Sequence, residues 1–256
     1  ALALAARDPQ AALPALMSLL SSESPVERSS GAFALAYLSG DSAERVLHHL
    51  AGDESALVRD AAVASLARHS TPRAHHALLK IALGTDPELG RRALQALAWI
   101  SGEGAAAVLS RLLEARAQQA DPLWRGQLYR TAGALAAGLL LKPAALAAGL
   151  ESAEPAEVAG SLDGLMLADI GPSDAAAAPA IDHPRVRARA ALRGLAGGRL
   201  ADAETLAQLI TGSPPERQFA LDATLELLAL APWLGRTPRR DALQKELARA
   251  LRDPDY

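Results

Sequence analysis

Histidines are concentrated in one short part of the chain. Five of the six lie between positions 48 and 76, namely His48, His49, His69, His75 and His76. Clustered imidazoles could hold a transition-metal ion or exchange protons near neutral pH. However, adjacent residues on a helix point about 100° apart and seldom share one ion, and the chain has no His-Glu-x-x-His motif. We therefore expect neither a metal nor another cofactor, and interpret the cluster as solvated helix surface.

Basic residues also recur at a constant spacing. His49, Lys80 and Arg111 are each 31 residues apart, and Arg45 and His76 form a second row with the same separation. On repeated helices, such rows would present a line of cations to an acidic partner, more strongly at low pH as histidine protonates. We predict that these five residues bind a partner. The alternative is a merely solvated face, because three residues would dilute the patch, namely Glu44, Leu79 and Glu114.

The same period of 31 residues organises the apolar residues of the first half. Three sets of equivalent positions are Leu35, Leu66 and Leu97; Leu47, Leu78 and Leu109; and Ala36, Ala67 and Ala98. One unit contains two amphipathic segments, Ala56–Arg68 and Arg73–Ala82, separated by a break at Thr71-Pro72. A single hairpin of this kind cannot bury its apolar face alone. The sequence therefore predicts stacked helical hairpins that share one core.

Composition supports an all-α fold and excludes several classes of protein. Of the 256 residues, 50% are hydrophobic but only 3% are aromatic, and the helix-forming residues Ala and Leu predominate. The absence of cysteine excludes disulfide scaffolds, thiolate metal sites and cysteine nucleophiles. No apolar run reaches the roughly 18 residues that span a bilayer, and a net charge of −3 argues against general polyanion binding. Since no phosphate loop or nucleophile elbow is present, we predict no enzyme activity.

Two stretches share a more specific pattern. Residues 53–67 begin with acidic residues that are followed by Val58-Arg59 and Ala62, and residues 182–191 repeat the arrangement around Val186-Arg187. This pattern resembles the short HEAT-like repeat of the PBS-lyase type. The resemblance implies a right-handed α-solenoid, with first helices on the convex side and second helices lining the concave side. In the next unit Gly90 stands where the arginine is expected.

The repeats divide the chain into two parts. We predict regular HEAT-like repeats over residues 1–118, the first one truncated, and degenerate hairpins continuing the same solenoid over residues 119–256. Because Leu4 aligns with Leu35, the chain begins within a repeat, and we expect that residue 1 is not its natural start. The later hairpins are predicted at 123–141 with 143–150, 154–168 with 173–181, 186–196 with 202–210, and 215–230 with 239–251.

Aromatic residues fit a structural interpretation. Tyr37, Arg68 and Trp99 form another row at the 31-residue spacing, where a guanidinium between two rings could gain about 0.5–2 kcal/mol. We interpret this row as contacts between repeats. Trp124 and Tyr129 align with leucines of the preceding unit, so we assign them to the core.

Charge is segregated in the second half. Seven acidic residues and no lysine or arginine lie between Lys142 and Arg185, and arginine-rich blocks follow at 185–199 and 236–252. We interpret these charges as salt bridges between repeats. A bipolar docking surface is the alternative.

The resemblance suggests what such a protein does. We predict a scaffold that binds a protein partner presenting an acidic or helical segment, in the cytoplasm of a bacterium, without membrane insertion. One alternative is nucleic-acid binding, since alkylpurine DNA glycosylases are HEAT-like and of similar length. A second is a lyase-like or metal-dependent HEAT-repeat enzyme, although the His-Glu dipeptides of deoxyhypusine hydroxylase are absent here.

Overall fold

Helices account for the regular structure of the chain. The computed structural model describes residues 9–38, 40–100, 103–139, 141, 144–168, 181–196 and 202–230, and no strand occurs within these ranges. The α-helices there are α1 (Pro9–Leu20), α2 (Pro25–Leu35), α3 (Asp41–Leu50), α4 (Ala56–Leu66), α5 (Pro72–Ala82), α6 (Pro87–Leu97), α7 (Glu103–Ala115), α8 (Pro122–Leu139), α9 (Pro155–Leu167), α10 (Pro184–Ala196), α11 (Asp202–Ile210) and α12 (Pro214–Leu230). Short 3-10 helices cover Arg116–Gln118 and Ala144–Glu151.

The chain divides into two compact units, Ala1–Trp124 and Arg125–Tyr256, which we call the N-terminal and C-terminal units. In the N-terminal unit, the first helices α2, α4 and α6 contact one another in sequence, and the second helices α3, α5 and α7 do the same. Two second helices also pack against the first helices that follow them, α3 on α4 and α5 on α6. This two-layer stacking of hairpins is the arrangement of an all-α solenoid, as predicted.

Burial in the N-terminal unit follows the 31-residue period. Leu35, Leu66 and Leu97 are at most 5% exposed, and alanines such as Ala62 and Ala93 are fully buried between the larger side chains. The small alanines allow neighbouring helices to approach closely, while the leucines fill the space between the layers. The two periodic leucine sets are therefore core positions, whereas the periodic alanine set is not: Ala67 is exposed, and Ala36 and Ala98 are half-buried.

Arginines of the first helices connect successive repeats. Each binds an acidic residue just before the next first helix, the pairs being Arg28 with Asp53 at 2.9 Å, Arg59 with Asp86 at 3.7 Å, and Arg91 with Asp121 at 2.8 Å. The hydrogen bonds from Arg28 hold the pKa of Asp53 below its ordinary value. Because the folded state favours the carboxylate, this pair stabilises the fold at neutral pH and loses its effect as the pH falls through that lowered pKa.

The departure from the repeat pattern at Gly90 has a packing cause. The indole Nε1 of Trp124 donates a hydrogen bond to the carbonyl oxygen of Ala82 at 2.9 Å. A Cβ at Gly90 would lie 3.1 Å from that nitrogen and 3.0 Å from that oxygen. The glycine therefore makes room for the buried indole, and Arg91 replaces the missing arginine in the pair with Asp121. Trp124 is 1% exposed, which confirms its assignment to the core.

The cation–π prediction is confirmed for one of its two rings. The guanidinium carbon of Arg68 lies 4.9 Å from the centroid of the Tyr37 ring, and the two residues belong to successive repeats. Trp99, at the third position of the row, is 69% exposed. Tyr37 is itself about half exposed, so its contact with Arg68 contributes only modestly to stability.

The C-terminal unit contains the later hairpins in a less regular form. Helices α8, α9, α10 and α12 match predicted first helices, α11 matches a predicted second helix, and residues 144–151 form a 3-10 helix where a second helix was expected. The predicted helix at 239–251 lies outside the described residues, and so does the one at 173–181 except for Ile181, which is not helical. Tyr129 is fully buried, as predicted. Helices α8 and α9 approach until their backbones touch, because glycines occupy the contact: Gly126, Gly133, Gly160 and Gly164.

Salt bridges in the C-terminal unit agree with the structural interpretation of its charges. Arg125 pairs with Glu157 at 2.8 Å, and Asp163 lies between two arginines that are themselves mostly buried, Arg130 and Arg189. These pairs connect different helices, so the acidic run and the first arginine block neutralise each other in part. The second block, 236–252, lies outside the described residues.

Candidate functional site

The five residues predicted to bind a partner all lie on the second helices of the N-terminal unit. His49 is on α3, Lys80 on α5 and Arg111 on α7, and each side chain is exposed. Arg45 and His76 are also exposed, one turn earlier on α3 and α5. The structure thus places the two rows at equivalent positions on one layer of helices, and we call this set of five residues the basic row.

A groove lies between α5 and α7, and part of the basic row lines it. The groove has a volume of about 860 Å³, within the range typical of ligand sites. Its basic lining residues are His75, His76, Lys80 and Arg111. Its main apolar lining residues are Leu79, Leu83, Ala107 and Val108. The α5–α7 groove therefore combines apolar walls with positive charge, and Leu79, predicted only to interrupt the basic row, forms part of a wall.

Missing side chains on α7 create this groove. Gly104 and Ala107 line it, whereas the positions 31 residues earlier on α5 are held by Arg73 and His76. Arg73 bridges from α5 back to Asp41 on α3 with a nitrogen–oxygen distance of 2.8 Å. Between α5 and α7 no corresponding arginine exists, because its position is Gly104. Sequence reasoning missed the groove since it depends on small residues, not on reactive ones.

His48 is a further member of the cationic surface that the prediction omitted. Burial lowers the pKa of its imidazole, and the positive charges of Lys80, His76 and His49 lower it further. These neighbours come from both α3 and α5. The structure therefore gathers basic groups from two repeats around one half-buried histidine, and a negative charge placed there would relieve their mutual repulsion.

Other contacts of the basic row are weak. Arg111 lies 3.6 Å from Glu114 one turn along α7, and both side chains are more than 60% exposed, so this pair contributes little. Arg45 donates a hydrogen bond to the hydroxyl of Ser42 at 3.3 Å. Lys80 makes no ion pair with a described residue. The side chains of the row therefore stay exposed, without a strong ion pair to another described residue.

Two expectations about this surface are wrong. Glu44 was expected to dilute the exposed patch, but it is 1% exposed and accepts a 2.7 Å hydrogen bond from the Thr71 hydroxyl. His69, interpreted as solvated, is 9% exposed, and its Nδ1 lies 3.7 Å from Glu44 while its Nε2 lies 3.3 Å from the carbonyl oxygen of Leu35. Because these polar groups are buried together, Glu44 is paired inside the fold and takes no charge from the surface.

Lowered histidine pKa values predict a loss of stability in acid. Burial lowers the pKa of both His48 and His75. The unfolded chain therefore binds more protons below the ordinary histidine pKa, and stability decreases as the pH falls from about 7.5 to about 5. We expect the melting temperature to follow this decrease, and the slope to be shallower in a His48→Gln/His75→Gln variant. Thermal unfolding followed by circular dichroism measures both; equal slopes would contradict the assignment.

Neither a metal-binding cluster nor a bilayer-spanning helix occurs among the described residues. Within those ranges, no three histidine, aspartate or glutamate side chains are placed to hold a metal ion. None of the described helices has the length and apolar character needed to cross a bilayer.

Comparison with known proteins identifies repeats in the first half of the chain. The family model for HEAT repeats matches residues 13–98 and 43–120. No curated protein matches the chain. Two crystal structures of engineered proteins from the Northeast Structural Genomics Consortium are similar to it. One is 19% identical, with 84% of this chain and 96% of the other covered and a TM-score of 0.38. The second is 20% identical, with 96% and 80% covered and the same TM-score.

Proposed function

Because the family model for HEAT repeats matches residues 13–120, we propose that this chain is a scaffold that binds a protein partner and catalyses no reaction. HEAT repeats generally serve as protein-interaction scaffolds. The proposed binding surface is the layer of second helices in the N-terminal unit, and the proposed contact residues are the basic row. Its location in a bacterial cytoplasm stays a prediction from composition.

One observation carries the proposal: exposed basic side chains occupy equivalent positions on the second helices of three successive repeats. Packed helices lie about 8–10 Å apart, so His49, Lys80 and Arg111 define a line of charge that crosses the repeats in steps of that size. A helix rises 1.5 Å per residue, and residues seven apart lie on one face, so carboxylates seven residues apart on a partner helix, at about 10.5 Å, would match this step. The partner is therefore proposed to present an acidic, helical segment.

Neutralising three residues of the basic row should strongly weaken capture of the partner. We expect wild-type protein, immobilised and exposed to lysate of its source organism, to retain a protein that a His49→Gln/Lys80→Gln/Arg111→Gln variant retains at least about tenfold less. The readout is quantitative mass spectrometry of nuclease-treated eluates. Nuclease treatment matters because the same cations could bind phosphates.

A matched control separates the row from net charge. Ala64 and Gln95 are exposed on the first helices α4 and α6 and are also 31 residues apart. An Ala64→Glu/Gln95→Glu variant makes the same change in net charge as the triple variant with neutral His49, and should retain the partner like wild type. Equal capture by all three proteins would contradict the proposal. If nuclease removed everything captured, the chain would bind nucleic acid instead.

A further inference from the structure

We propose that the partner segment is amphipathic: a large apolar side chain fills the α5–α7 groove, and acidic side chains beside it pair with Lys80 and Arg111. This inference rests on the proposed scaffold function and assigns the groove a role as the anchor of the interface. The occupant is thus a helix of acidic and large apolar residues, not a uniformly acidic segment.

The lining of the groove argues for an apolar anchor. Leu79 on α5 and Leu83 directly after it remain half exposed, and Ala107 on α7 is exposed, so an apolar surface stays in contact with water. Covering that surface is favourable in proportion to its area. Side chains that fill such pockets at the centre of an interface contribute most of its binding energy. A partner that offered carboxylates alone would leave this apolar surface exposed to solvent.

The position of the charges argues for an acidic neighbour of that anchor. Lys80 and Arg111 project from the two helices that flank the groove, at equivalent repeat positions. A carboxylate one turn from the anchor on a partner helix would reach one of them, and a second carboxylate farther along would reach the other. A basic apolar helix fits the groove equally well by shape, but like charges on both sides would repel it.

The preceding pair of second helices is bridged at the equivalent position. There Arg73 spans from α5 to Asp41 on α3, whereas Gly104, 31 residues later on α7, has no side chain to cross to α5. We therefore place the anchor between α5 and α7, with basic residues of the row on both sides of it. An apolar groove flanked by basic residues would bind best those partner helices in which the apolar residue and the acidic residues have the matching spacing.

Three labelled peptides test the chemistry of the occupant on the wild-type protein. The first is an 18-residue helical peptide (about 27 Å long) with glutamates seven residues apart and leucines on the same face. The second replaces the leucines with alanine, and the third replaces the glutamates with lysine. Fluorescence anisotropy should show that each change weakens binding at least about tenfold, since each removes one of the two required interactions.

Two tryptophan variants test the place of the anchor. Ala107→Trp should fill the groove and weaken binding of the first peptide at least about tenfold. Ala106→Trp adds the same side chain at an exposed position of α7 that does not line the groove, and should bind like wild type. Circular dichroism checks that both variants fold; Ala107→Leu replaces the first if it does not.

The outcomes distinguish this inference from the proposed function. If the glutamate–alanine peptide binds as tightly as the glutamate–leucine peptide, the anchor is wrong and the acidic-partner scaffold stands. The anchor is also wrong if both tryptophan variants bind alike. If neither glutamate peptide binds, the proposed binding surface fails together with the inference. If the lysine–leucine peptide binds as tightly, the groove takes apolar segments without regard to charge, and the acidic neighbour is wrong.

Discussion

Replacing Asp163 with alanine is expected to lower the free energy of unfolding by about 3–5 kcal/mol. One oxygen of this carboxylate accepts hydrogen bonds from Arg130 at 2.6 and 3.0 Å, and Arg189 lies 3.1 Å from the other oxygen. Asp163 is 4% exposed, and the side chains of the two arginines are 16% and 7% exposed. Removing the carboxylate would leave two guanidinium groups close together in a desolvated site without the charge that offsets them. Denaturation by guanidinium chloride, followed by circular dichroism, measures the loss.

Two further variants separate the buried charge from general effects of substitution. Asp222→Ala removes an exposed aspartate on α12 and should change stability by less than about 0.5 kcal/mol. A triple variant, Arg130→Met/Asp163→Leu/Arg189→Met, should lose much less than Asp163→Ala, because it leaves no uncompensated charge. If Asp163→Ala unfolds no more readily than Asp222→Ala, the cluster contributes nothing to the stability of this unit.

The periodic part of the structure was predictable because burial in a repeat protein is itself periodic. Leu35, Leu66 and Leu97 occupy the same place in successive hairpins, so their spacing reveals the core without knowledge of the contacts. Alignment with the preceding unit placed Trp124 and Tyr129 in the core for the same reason. Equivalent positions of successive repeats share the same environment, so the residue types found there indicate whether that environment is core or surface.

Features that belong to one repeat were not predictable in this way. Glu44 was interpreted as a surface charge, because a single acidic residue in a polar stretch is usually exposed. Its partners His69 and Thr71 lie in the following repeat, and nothing in the spacing joins them to it. The α5–α7 groove depends on what Gly104 and Ala107 lack, so a search for chemically active residue types passes over it.

The contact between α8 and α9 is not periodic, but its glycines are visible as a pattern in the sequence. Gly126 and Gly133 are seven residues apart and Gly160 and Gly164 are four apart, so each pair shares one face of its helix. Glycine is unfavourable inside helices, and its recurrence on one face indicates a close approach of another backbone.

Replacing Gly160 with alanine is therefore expected to destabilise the C-terminal unit by about 2–3 kcal/mol. A Cβ at this position would overlap the carbonyl oxygen of Gly126, and that oxygen belongs to the backbone of α8, which cannot rotate away. Helices α8 and α9 would have to separate, opening space around buried residues such as Leu162. The alanine gains about 1 kcal/mol of helix propensity, which offsets only part of this cost. The midpoint of chemical denaturation measures the net effect.

The same substitution at Gly138 distinguishes packing from propensity, because only propensity changes there. Gly138 is on α8 and is exposed, and a Cβ built on it meets no atom within 4 Å. Gly138→Ala should therefore raise the free energy of unfolding, by up to about 1 kcal/mol. Opposite signs for one chemical change, made at Gly160 and at Gly138, would show that backbone contact and not helix content fixes the position of α9. If both variants were stabilised, α8 and α9 would lie farther apart than the structure places them, and the glycines would be tolerated rather than required.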